Sequence, residues 1–334
     1  MKKSFPIRGL ALAAVLACAG AAQAQSSVQL AGLVDMSVGS FKAPGDASAT
    51  TRAENGSMTT SYWLMRGKED LGSGLSAIFS LESFFRADTG ASGRFTGDTL
   101  FSRSAYVGLD SATLGTLRLG RITTPLFVAT VTFNAFGDSY GFSPTVRHVF
   151  TSGTVTGDSG WSDAVAYSTP SFGGLKVNVV GALGERVGGN NASASAVFER
   201  GAFAATAVFQ NVKKDGATGA VADTRTWQAG LAYDFGFAKV FAQHTDVDNR
   251  TANLDYKLTA VSAAIPVTAT GKVLVAYGLL NRVDDADRKT FSVGYDHFLS
   301  KRTDVYAVAM RDKDERATSE QTGRSFAVGI RHRF

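Results

Sequence analysis

From residue 28 to the C-terminal Phe334, apolar side chains recur at every second position, run after run. The last run, "RSFAVGIRHRF", puts Phe326, Val328, Ile330, His332 and Phe334 on one face. Ser325, Ala327, Gly329, Arg331 and Arg333 take the other. In "TWQAGLAYDF", Trp227, Ala229, Leu231, Tyr233 and Phe235 alternate with Gln228, Gly230 and Asp234. A period of two is the signature of a strand with one apolar face. About sixteen such runs fill the chain, and helical spacing is hard to find.

The connections between runs alternate in length. "EDLGSG", "DSATLG", "RGA", "FGF" and "SKR" are short. "SFKAPGDASATTRAENGS", "ADTGASGRFTGD", "NVKKDGATGAVAD" and the stretch 122–160 are long. An even number of antiparallel strands with alternating short and long connections points to a closed transmembrane barrel. In lipid every backbone N–H and C=O must be satisfied internally, so a sheet has to close on itself. The apolar face then meets lipid and the other face meets water. A soluble β-sandwich would also alternate, but it explains neither the rhythm of the connections nor a terminal aromatic inside a strand. In a closed barrel the last strand pairs with the first. Phe334 is then expected at the near-side interface, with Arg331 and Arg333 facing the lumen.

Residues 1–24 read as a cleaved secretory signal, and residues 25–334 as the barrel. Lys2, Lys3 and Arg8 precede an apolar stretch ending in "AQAQ", with cleavage expected after Ala24. A membrane anchor and a lipoprotein signal at Cys18 are the alternatives. Cys18 is the only cysteine, so the mature chain holds no disulfide and no thiol chemistry. Subtracting the leader's 3 basic residues from 34 leaves 31 against 29 acidic ones. That near balance gives no argument for nucleic acid. Beyond the leader, no run reaches the roughly 18 apolar residues of a membrane helix.

Several stretches resemble the trimeric general porins of Gram-negative outer membranes, in the branch of Neisseria and related β-proteobacteria. They are "GKEDLGSGLSAIFSLES" (67–83), "SRSAYVGLDSATLGTLRLGR" (102–121), "AYSTPSFGGLKV", "LSKRTDVYAV" and the terminal "GIRHRF". The resemblance implies a sixteen-stranded homotrimer in the outer membrane, passing ions and small hydrophilic solutes by diffusion. Lipids and lipopolysaccharide would surround it. It also implies that Phe334 is read by the barrel-assembly machinery, and that the third long connection folds into the barrel. Independently, 122–160 is long for a plain connection and rich in Phe, which argues for a packed segment. An extracellular flap is the alternative.

A pore discriminates through charges at its narrowest point. The expected constriction residues are Tyr62, Arg103, Arg118, Arg121, Asp138 and Arg147, with Asp158 near the end of the loop. If Leu117 and Leu119 meet lipid, Arg118 faces the lumen. Arg121 then has lipid-side parity unless the chain leaves the strand there. Tyr62, Gly160 and Ser162 stand where the resembled family often has arginine, so only a weak anion preference is expected. No metal-binding spacing or catalytic motif is present, and neither cofactor nor metal is expected. A barrel enzyme and a soluble or surface binding or adhesion module are the competing readings. An enzyme would show turnover, and a soluble module would leave membranes without detergent.

Overall fold

The computed structural model describes residues 27–151, 157–185, 189–213, 223–282, 287–315 and 320–334. The expected leader lies outside them. The first barrel strands are β1 (Ser27–Phe41), β2 (Thr50–Asn55), β3 (Tyr62–Gly72) and β4 (Leu75–Arg86). A short β5 (Ala91–Ser92), β6 (Ser104–Ser111) and β7 (Gly115–Thr123) come after them. Two short helices come next, α1 (Pro125–Thr132) and α2 (Pro144–Phe150). The sheet resumes with β8 (Gly160–Ser168), β9 (Leu175–Ala182), β10 (Asn191–Arg200), β11 (Phe203–Val212) and β12 (Thr224–Asp234). It ends with β13 (Lys239–Asn249), β14 (Leu254–Pro266), β15 (Gly271–Arg282), β16 (Asp287–Phe298), β17 (Thr303–Asp314) and β18 (Gln321–Arg333).

Every strand pairs antiparallel with its neighbour, and β18 returns to β1 in the register Leu33↔Arg333 to Ser40↔Phe326. Phe334 completes the seam: its N–H donates to the Gly32 carbonyl at 3.1 Å, and the Gly32 N–H donates back at 3.2 Å. β5 is a side hairpin on β4. β2 and β3 pair in turn with the two halves of β1, so together they make one stave. The barrel therefore has the sixteen expected strands.

Polarity is inverted relative to a soluble fold. Along β12, Trp227 is 58% exposed while its neighbour Gln228 is 3% exposed. Thr224, Thr226 and Gln228 are buried; Leu231 and Tyr233 are exposed. A sandwich would bury the second set and expose the first. Outward apolar side chains and inward polar ones are what lipid outside and water inside demand.

The expected second strand, 58–69, differs from the observed stave, which starts at Thr50 and breaks over residues 56–61. Thr50–Asn55 is polar at every step except Ala53, so no alternation betrays it. Its order comes from backbone pairing to β1. The break exposes the backbone of Met58 and Thr59, whose N–H groups both donate to the Asp35 carboxylate at 2.7 Å. Tyr306 Oη donates to the same carboxylate at 2.6 Å.

Candidate functional site

The third long connection lies inside the barrel, not over its mouth. Thr124 and Ser143 cap its two helices: each side-chain oxygen accepts from a backbone N–H three residues on. Each cap precedes a Pro at the first helical position, where a missing N–H costs nothing. The helices lean on an inner wall that is apolar where they touch it. Leu126, Ala129 and Val149 pack with Val208, Val247, Tyr256, Leu258 and Leu280. Phe136 and Phe142 join Met58, Leu274, Ala276, Tyr306 and Val308. Two wall glycines allow the approach. A Cβ at Gly230 would lie 3.0 Å from the Phe133 ring, and one at Gly278 would lie 2.8 Å from Pro144 and 3.1 Å from His148.

The packed loop separates two cavities. The one toward the long connections is about 760 Å³ and includes Arg52, Glu54, Tyr140 and Asp158. The one toward the short turns is about 620 Å³ and includes Arg118, Lys176, Thr132 and Glu199.

The structure brings some expected residues together and separates others. Tyr62 and Arg103 are in contact, with the guanidinium carbon 4.1 Å from the ring centroid. Glu82, which sequence reading passed over, pairs with the same guanidinium. Its parity with Ser76 and Ser80 on β4, opposite Phe79 and Leu81, would have marked it as luminal. Arg118 lies apart in the turn-side cavity. It donates to Ser168 Oγ at 3.4 Å and sits 5.6 Å from the Tyr106 ring centroid, and its buried Nε has no acceptor among the described residues.

Arg121 points inward. The register with β8 shifts between Gly120/Ala164 and Ile122/Trp161, so the extra residue lies in β8, where Asp163 sits at φ +56°; on β7 Gly120 sits at φ +134°. β7 stays in register with β6 through Arg121, and Ile122 is buried on the side of Arg118, so Arg121 keeps its parity and its guanidinium turns in at the end of the strand, where β7 gives way to the loop. Arg121 then donates to Asp158 at 2.7 Å, to the Ser102 carbonyl at 2.7 Å and to Ser162 Oγ at 3.1 Å. Arg94, from the connection after β5, holds the other Asp158 oxygen at 2.7 Å and also pairs with Asp98 at 2.8 Å. Burial alone would raise the Asp158 carboxyl, but the Arg94 and Arg121 contacts overcome it and hold the carboxyl below the usual range.

Among the described residues Asp138 forms no salt bridge with an arginine; Thr59 Oγ1 donates to it at 3.0 Å. Burial dominates there and pushes its carboxyl up. Arg147 is a loop cation facing a wall acid. It reaches Asp312 on β17 at 3.0 Å, and Arg288 holds the same carboxylate at 2.5 Å.

One line of histidine, hydroxyl and carboxylate bears on the enzyme reading. Thr290 Oγ1 lies 2.8 Å from His148 Nε2 and donates to Asp312 Oδ1 at 2.9 Å. The hydroxyl sits between base and acid, whereas nucleophile activation places the base in the middle. All three side chains are buried. The line ties α2 to the wall.

Comparison with known proteins agrees with this geometry. The chain matches the Gram-negative porin family over residues 11–317. It is 31% identical to outer membrane porin protein 32 of Delftia acidovorans, over all of both chains. It is 28% identical to an outer membrane porin protein of Bordetella pertussis, again over all of both chains. Among solved structures it superposes on the anion-selective porin from Comamonas acidovorans with a TM-score of 0.81 at 25% identity, covering 93% of this chain and 100% of that one.

Proposed function

The chain belongs to the Gram-negative porin family, and we propose that it is a weakly anion-preferring member that works as a homotrimer. It is an outer-membrane β-barrel whose function is passive diffusion through a water-filled lumen. The finer reading rests on how the luminal charges are used. Asp158 is shared by two arginines, and Asp138 is buried against Thr59. Neither loop acid projects a free negative charge into the path. Arg147, Arg288 and Asp312 neutralise one another in part, as do Arg103 and Glu82. Arg118 has a hydroxyl and a ring beside it but no carboxylate among the described residues. With Lys176 exposed in the same cavity against Glu199, the remaining field is modestly positive. A small positive field in a low-dielectric lumen favours anions without excluding cations.

Tyr62, Arg103, Arg118, Arg121, Asp138 and Arg147 act in this reading as the constriction and its supports. Phe334 acts as the signal for the assembly machinery, and residues 1–24 direct export. Solved relatives include the anion-selective Comamonas protein and a trimer form of a Vibrio cholerae outer membrane protein, which support selectivity and assembly state by likeness. The test is single-channel conductance in a planar bilayer, with reversal potential in a salt gradient. Stable steps in groups of three with a reversal potential of anion sign are expected. Ohmic steps of cation sign would overturn the selectivity, and single isolated steps the trimer.

A further inference from the structure

The long-loop ends of β16, β17 and β18 carry a row of side chains on the lipid-facing surface that conduction does not use. Register sets Phe291, Arg311 and Arg324 side by side across the three strands. Val293 and Phe326, two residues away on the same parity, are exposed, so this row faces outward. Two like charges directly opposite each other in an antiparallel pair repel. Among the described residues no acidic side chain is paired with either arginine.

The next row toward the loops makes a useful contrast. Lys289 and Lys313 are also directly opposite. There the chain supplies the counter-charges: Lys289 meets Glu315 at 3.3 Å and Asp287 at 3.5 Å, and Lys313 meets Glu315 at 2.5 Å and Glu320 at 2.9 Å. The arginine row, one step nearer the membrane, is left for something else to neutralise.

The surface beneath that row narrows the choice. Val293, Ala309 and Phe326 form the next row toward the midplane. With Phe291 they line an outer groove of about 420 Å³ that has Arg311 and Arg324 on its rim. The stacked Tyr295 and His297 mark the other interface on β16. His297 lies six residues below Phe291, roughly 20 Å along the strand at about 3.3 Å per residue. With the strand tilted by about 40° this is about 15 Å across the membrane; the upper edge of the apolar band is marked by the outward face itself, which turns from Val293 and Phe326 to charge at the arginines. They sit where headgroup phosphates of the outer leaflet lie, above a slot of acyl-chain character.

We propose that this face is a binding site for a phosphorylated lipid of the outer leaflet. One phosphate bridges Arg311 and Arg324, and an acyl chain lies in the groove below. Guanidinium forks suit a phosphate, which offers several oxygens at once and cancels the repulsion between the pair. A free anion would satisfy the charges but leave the apolar slot unused.

The test uses detergent-purified full-length protein titrated with lipid A and read by native mass spectrometry. Wild type is expected to retain lipid A. Arg311→Gln with Arg324→Gln is expected to weaken binding at least tenfold. Lys289→Gln with Lys313→Gln removes the same charge one row away and is expected to change it less than twofold. Ala309→Trp fills the groove, keeps both arginines and is expected to weaken binding as well. Heat-modifiable migration on gels checks that each variant is folded. Equal losses from the lysine and arginine pairs would reduce the site to general attraction and overturn the proposal. So would full competition by inorganic phosphate with no effect of Ala309→Trp, which would indicate a free-anion site. Dissociation of the oligomer by these variants with lipid A still bound would make the face a subunit contact and overturn it too.

Discussion

Asp158→Asn should loosen the luminal loop without unfolding the barrel. The carboxylate is 4% exposed and accepts from Arg94 and Arg121, each at 2.7 Å. Both arginines are themselves mostly buried, at 19% and 11% exposed. Removing one partner of a buried ion pair costs about 3–5 kcal/mol, because the remaining charge is stranded. Asparagine keeps one acceptor oxygen, so the lower end applies, about 3 kcal/mol. At about 1.4 kcal/mol per tenfold, the detached loop becomes on the order of a hundredfold more populated. The barrel seam is made of backbone bonds and does not involve this cluster. The assay is current noise and spontaneous closure in single-channel records at pH 7, with thermal unfolding of the same sample. More frequent closures and extra noise are expected, with little change in sheet melting.

The same carboxyl supplies a pH test with a defined sign. Its folded pKa is depressed, so the stabilisation is fully present above the ordinary carboxylate value of about 3.9. It is lost as pH falls through the folded value, which lies lower still. Wild type should therefore acquire the noise of Asp158→Asn only below about pH 3.9, and the variant should lack that acid component. Wild-type noise in Asp158→Asn at pH 7 would refute the reasoning, because the two arginine contacts would then hold nothing.

The other tests address charge, packing and assembly. Glu82→Gln frees Arg103 and should move the reversal potential further to anion sign, whereas Arg118→Gln should move it toward cations. An unchanged potential in both would place the selective charge elsewhere. Gly278→Val pushes a side chain into Pro144 and His148; overpacking costs about 1–3 kcal/mol, so single-channel conductance should become heterogeneous. Phe334→Ala keeps both seam hydrogen bonds, since they are made by the backbone. It should refold in detergent at near wild-type yield, yet reach the outer membrane of cells several-fold less well; equal yields in both settings would count against an assembly signal.

The barrel was legible because lipid imposes one rule on every strand. Alternation in "TWQAGLAYDF" or "VQLAGLVDMSVG" reports the wall wherever one face meets hydrocarbon. The rule is silent where the chain leaves hydrocarbon, and Thr50–Asn55 was lost among loop residues for that reason. Site residues divided the same way. Arg118 followed from the parity of Leu117 and Leu119, and Glu82 could have followed from Ser76 and Ser80. Arg121 could not, because its parity is that of Leu117 and Leu119, and only its contacts with Asp158, Ser102 and Ser162 at the end of the strand turn it in. Arg94 was out of reach, since its meeting with Asp158 joins two separate connections. The loop helices had a signal in "TTP" and "FSP", a hydroxyl cap immediately before proline.

The loop's landing place was also written in the chain, as an exception to the barrel's own rule. On β15 both faces are apolar: Val273, Val275 and Tyr277 face outward, while Leu274, Ala276 and Leu280 are buried inside. A strand facing water on its inner side has no reason to carry inward leucines, so something dry must cover them. Leu274 and Ala276 lie under Phe136 and Phe142, and Leu280 lies in the cluster with Leu126, Ala129 and Val149. The molecule thus holds two separable structures. One is a wall closed by backbone pairing, and the other is a small apolar core formed by loop and inner wall. Leu280→Ser should separate them. It leaves the β15 ladder intact but places a hydroxyl in the dry core, where burying it without a partner costs about 1–3 kcal/mol on top of a lost leucine contact. The expected result is a barrel that still runs as a folded, heat-modifiable species while its conductance becomes larger and more variable. If the barrel failed to fold at all, the wall would depend on the loop and the two structures would be one.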